Sequence, residues 1–177
     1  GKLSKMKALR GFLLDWTPET GLSNEDSQDI TKALEAVPNL ESLSLYLKAE
    51  QLNIDCLATG IAKLSKLRKF TLALTYKMSF LLAEPDEAET ILEEQRFEKV
   101  LQALDAKPDL ETVNLELKNS INLSMIYSLK TCSSSLKNIK KLHLNYFRCE
   151  NVNDTRLLDL KTVLDSLPKL EYANLGL

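Results

Sequence analysis

The side chains able to do chemistry are few and widely separated. The one histidine, His143, stands between Leu142 and Leu144, in an alternating segment that turns it outward. Its expected cross-strand neighbours, Asn114 and Asn174, supply neither a nucleophile nor a carboxylate to orient the ring, so it reads as a surface contact residue. Cys56, Cys132 and Cys149 are too far apart in sequence for the short ligand spacings of zinc sites. Their odd number, with no CxxC pair, suits a reducing compartment and an intracellular, cytoplasmic location. No GxxxxGK[ST] run and no GxGxxG run occurs. The acidic pair Glu93-Glu94 falls on a predicted solvent face, where nothing raises a carboxylate pKa. The expectation is a protein that is not an enzyme, with no catalytic residues, no metal, no cofactor and no small-molecule substrate.

The elements that would position these residues are written in leucine. The chain has 177 residues, 37 of them Leu, with only five Gly and five Pro. That length suits one domain over 1–177. Lys plus Arg number 23 against 25 Asp plus Glu, a balance that gives no support for nucleic-acid binding. No apolar run approaches the ~18 residues of a membrane span, and Gly1-Lys2-Leu3 opens without a signal-peptide core.

The leucines recur as a short motif. Leu40-Glu41-Ser42-Leu43-Ser44-Leu45-Tyr46-Leu47 reads LxxLxLxL, and related copies begin at Leu67, Leu110, Ile139 and Leu170. A weaker copy begins at Met6, giving intervals of 34, 27, 43, 29 and 31 residues. Alternation within each motif predicts a strand. Helical spacing precedes the motifs, as in Ile30, Leu34 and Val37, or Leu57, Ile61 and Leu64. Asp26, Asp55 and Asp154 are candidate helix caps. Pro38, Pro108 and Pro168, two residues before their strand anchors, stop the helices.

This grammar resembles the leucine-rich repeat family, in its ribonuclease-inhibitor-like class, with divergent repeats of the kind found in protozoan proteins. The resemblance implies an α/β solenoid of about six strands: a horseshoe arc with a parallel sheet on the concave side and helices on the convex side. One departure stands out. The family's Asn or Cys position is occupied here by Lys48, Thr75, Lys118 and Phe147.

On that frame the residues between the strand leucines form ladders on the concave face. The first is Arg10, Ser44, Thr71, Asn114, His143, Asn174; the second is Phe12, Tyr46, Ala73, Glu116, Asn145, Gly176. The third is Leu14, Lys48, Thr75, Lys118, Phe147. Candidate partner-binding residues are therefore Arg10, Phe12, Tyr46, Lys48, Glu116, Lys118, His143, Asn145 and Phe147. The aromatic cluster of Phe12, Tyr46 and Trp16 reads either as interface or as an improvised end cap. The long interval carries an acidic insertion over 77–96, read as a solvated helix face. The expected function is a non-catalytic protein-protein interaction scaffold, or a structural subunit of a multi-subunit assembly, binding through the concave face or repeat edges. The alternative is a regulatory role, as a GTPase activator or the substrate-recognition arm of a ubiquitin ligase. Both chain ends fall on repeat strands, which predicts a part of a longer chain or assembly.

Overall fold

Every strand after the first starts from the same tight turn. The N–H of Leu40 donates to Val37 O at 3.1 Å, and Leu67, Leu110, Ile139 and Leu170 donate likewise to Leu64, Lys107, Leu136 and Leu167. Three of these turns carry Pro38, Pro108 or Pro168 at their second position, where a φ already fixed near −65° costs nothing. The computed structural model describes residues 8–16, 23–48, 52–75, 97–105, 107–118, 124–133, 136–147 and 154–176. The acidic insertion over 77–96 and Cys149 lie outside them.

Strands and helices alternate: β1 (Gly11–Trp16), α1 (Asn24–Glu35), β2 (Ser42–Lys48), α2 (Ile54–Ala62) and β3 (Lys69–Thr75). A helical stretch over 97–105 (α3) follows. Then come β4 (Thr112–Lys118), α4 (Ser124–Cys132), β5 (Lys141–Phe147), α5 (Asp154–Asp165) and β6 (Tyr172–Gly176). The caps differ from those expected. Ser23 caps α1 in a capping box: its Oγ accepts from Asp26 N at 3.1 Å and its N–H donates to Asp26 Oδ2 at 2.9 Å. Asn53 caps α2, accepting from Cys56 N at 3.2 Å. Asp26 and Asp55 stand inside first turns, where a negative charge meets the helix dipole. Asp154 is the first residue of α5.

The six strands form one parallel sheet in the order β1-β2-β3-β4-β5-β6. Consecutive strands are neighbours throughout, and the connecting helices pack against the sheet face that buries the strand leucines. Burial alternates accordingly, with Leu43, Leu45 and Leu47 buried on β2, and Val113, Leu115 and Leu117 on β4. These pack with Leu57, Ile61, Val100, Leu104, Leu129 and Val163 from the helices into a continuous core. The largest fully buried side chains are Phe70 and Phe97.

This is a single α/β domain built on an open parallel sheet with Rossmann-like alternation, and it corrects the expected leucine-rich repeat horseshoe with its concave and convex sides. The physical reason is that a helix followed by LxxLxLxL specifies a βα unit with a parallel neighbour. It does not specify the curvature of the whole. Nor are the units equivalent: α1 and α5 have 12 residues and α2 has nine. The likeness to a Rossmann sheet stops at the alternation. Strand order never reverses here, and the reversal is what makes the crevice in which such sheets hold dinucleotides.

A second correction concerns β1. Gly11 is registered with Ser42, Phe12 with Leu43 and Leu14 with Leu45. The anchor equivalent to Leu40 is thus Leu9, not Met6. Phe12 and Leu14 turn toward the core and pack against it, while Leu13 and Asp15 lie on the open face. Leu13 is 65% exposed.

Candidate binding rim at the strand starts

The residue after each anchor is charged, and its sign alternates along the sheet: Arg10, Glu41, Arg68, Glu111, Lys140, Glu171. The backbone sets them in a row. Each rim residue from Glu41 onward, together with its successor, donates an N–H to the rim carbonyl of the preceding strand, at 2.8–3.1 Å. Neighbouring strands lie ~4.8 Å apart, so adjacent side chains meet. Arg10 Nε stands 3.2 Å from Glu41 Oε1. Glu111 takes two cations, Arg68 Nη2 and Lys140 Nζ, both at 3.0 Å. Lys140 first, then Arg68, holds the Glu111 carboxyl below the usual carboxylate range. These groups are partly solvated, so each pair adds little to stability. Their contribution is to fix where the charges stand.

Beside the rim runs the first row of the open face, Gly11, Ser42, Lys69, Thr112, Lys141, Tyr172, registered strand by strand. Rim and row line a groove of about 630 Å³ from Arg10 and Gly11 to Lys140 and Lys141, within the ~300–1,000 Å³ of ligand sites. Five of its residues are basic (Arg10, Arg68, Lys69, Lys140, Lys141) and two are acidic (Glu41, Glu111). In a chain with net charge −2 this is a local excess of positive charge. Lys69 and Lys141 have no ion-pair partner among the described residues. They flank Thr112 one strand away on either side, and hydroxyl and ammonium donors at that spacing suit carboxylates.

The sequence-derived candidates fall into two sets. Tyr46, Glu116 and Asn145 share one open-face row with Asp15, Ala73 and Gly176. Lys48, Lys118 and Phe147 share the next with Thr75, though the Phe147 side chain lies outside the described residues. Lys118 Nζ is 3.8 Å from Glu116 Oε2, and Asn114 Nδ2 donates to Glu116 Oε1 at 3.3 Å. His143 lies between Asn114 and Asn174, its ring 5.3 Å from that of Tyr172. Arg10 and Phe12 are not with them: Arg10 is on the rim, and Phe12 faces the core.

Sequence reasoning missed the rim. The signal was present, since a charged residue follows every anchor, Lys7 after Met6 included, but this position lies ahead of the alternating positions from which the ladders were built. Among the described residues no group of three His, Cys, Asp or Glu side chains could hold a metal, and no helix is long and apolar enough to cross a membrane.

No family model matches the chain, and no curated protein matches it either. The expected scaffold, binding through a concave repeat face or repeat edges, drew on the horseshoe and on family membership. So did the regulatory alternative. Without that architecture or any family match, neither is retained.

Proposed function

We propose that this chain is a non-catalytic binding domain that takes an acidic segment of a protein partner along the strand-start groove. The observation that carries the reading is the pair Lys69 and Lys141, two cations without ion partners among the described residues, flanking the Thr112 hydroxyl inside a predominantly basic groove. Ser42 supplies a further hydroxyl in the same row. Such charge complementarity favours encounter and register more than raw affinity. The non-catalytic part draws on His143, whose neighbours Asn114, Asn174 and Tyr172 include neither a nucleophilic thiol nor a carboxylate. An intracellular location goes with Cys56 and Cys132, both free thiols.

The test is fluorescence anisotropy of a labelled oligoglutamate peptide against the full chain. Binding that weakens with added salt, and is lost in the double variant Lys69→Glu/Lys141→Glu, is the expected result. Equal binding by the double variant, or none by the wild type, removes the proposal.

A further inference from the structure

The two outer strands of the sheet differ in chemistry, and their differences are complementary. Because the rim alternates in sign over six strands, the sheet begins basic at Arg10 and ends acidic at Glu171. Glu41 is paired with Arg10, and Glu111 with Arg68 and Lys140. Glu171 is the one rim acid without an ion-pair partner among the described residues. All five junctions between strands share one backbone pattern, two N–H groups to one rim carbonyl, and one parallel register.

We propose that the β6 edge of one copy of this chain pairs in parallel with the β1 edge of a second copy, so that Glu171 meets Arg10 of the second copy. Extending the register across that junction sets Ala173 opposite Phe12 and Leu175 opposite Leu14, apolar against apolar. Those positions are under-covered: Leu175 is exposed, and Phe12 and Leu14 are only partly buried. At the same end of the helix row, α5 leaves Leu157 and Leu158 exposed, Leu158 to 63%. Among the described residues neither outer strand has a neighbour on its outer side, and such an edge is a template for another strand. The contact is heterologous, using different surfaces on the two copies, and so builds a ring or a filament rather than a closed two-fold dimer.

Sedimentation velocity over a concentration series tests it. The wild type is expected to rise in mass from the 20.0 kDa monomer as concentration increases. Glu171→Arg turns attraction into repulsion and is expected to weaken association about tenfold; Leu175→Lys removes the apolar half of the junction. Both sites are exposed, Leu175 on the edge strand and Glu171 just before it, and circular dichroism confirms that the variants fold. A head-to-tail contact makes a further demand. Glu171→Arg keeps its β1 edge, so adding it to wild type must shorten the assemblies. A wild type that stays monomeric, variants that associate like wild type, or a variant that fails to cap growth each overturns the proposal.

Discussion

Lys107 is the most exacting test of how this core is assembled. The turn that precedes each strand after the first buries one side chain at its first position: Val37, Leu64, Leu136 and Leu167 in four turns, and Lys107 in the fifth. Lys107 is only 3% exposed, and its Nζ donates to Ala62 O at 2.7 Å. That carbonyl belongs to the last turn of α2, where the helix has no internal donor left and a cation meets the negative end of the dipole. Burial pushes the Lys107 ammonium below its ordinary value of 10.5.

Two substitutions separate the opposing terms. Lys107→Ala removes the hydrogen bond, leaves the Ala62 carbonyl unpaired at ~1–3 kcal/mol, and gives up the buried stem at ~0.8 kcal/mol per methylene. Relief of the desolvated charge offsets part of this, for a net loss of about 2–4 kcal/mol. Lys107→Met keeps most of the stem and removes the charge, and the apolar residues at the four equivalent turns show that the site accepts it. Its expected cost is within about 1 kcal/mol. The sign with pH follows from the lowered folded value. Between that value and 10.5 the unfolded chain binds more protons than the folded one, so wild type gains stability over Lys107→Met as pH rises through this window. Urea unfolding of the three proteins, at neutral pH and again in the alkaline window, measures all of it. If Lys107→Met costs as much as Lys107→Ala, or wild type gains nothing over it at alkaline pH, the picture of a desolvated ammonium is wrong.

The other predictions are simpler. Phe70→Ala opens a cavity at a fully buried position and is expected to cost about 3–5 kcal/mol in urea unfolding. Ser23→Ala removes the cap of α1 and is expected to lower stability by about 1 kcal/mol. Asp26 is held below 3.8 by the Ser23 hydroxyl and N–H. The capping-box contribution is therefore complete above 3.8 and fades as pH falls through the lowered folded value, so wild type and variant should converge in acid melts. Gly60→Ala should destabilise although alanine favours helices. Its Cβ would stand 3.0 Å from Leu34 Cδ1 and 3.3 Å from Thr31 Cα, where α1 and α2 meet, at an expected cost of about 1–3 kcal/mol in thermal melts.

How much of this was legible depends on what alternation encodes. Within β2 to β5 the period of two decided every face, because a buried Leu at 43, 45 and 47 leaves Ser44, Tyr46 and Lys48 on the other side. The ladders from Ser44 to Asn174 and from Tyr46 to Gly176 match the observed register. Curvature was beyond reach, since each unit's pattern specifies its neighbour and not the bend of the sheet. In β1 the alternation was ambiguous. Phe12, Leu13 and Leu14 are all apolar, and Met6 to Leu9 satisfies the same spacing as Leu40 to Leu43. Only contact with β2 decides that Phe12 and Leu14 go inward and Leu13 outward.

That local ambiguity had a long reach. Moving the first anchor by three residues, an odd number, exchanges the two faces of a strand. It carried Arg10 onto the sheet face and put Lys7, a residue of the same sign, in its place at the head of the rim. With Leu9 as the anchor, Arg10 pairs with Glu41 and the series closes on Glu171. The same alternation then explains two separate features. Interior rim charges neutralise one another, and Lys69 and Lys141 in the adjoining row remain the groove's cations without an ion-pair partner among the described residues. An even number of strands among the described residues sets opposite charges at the two outer strands, which is the condition for one copy to extend the sheet of the next.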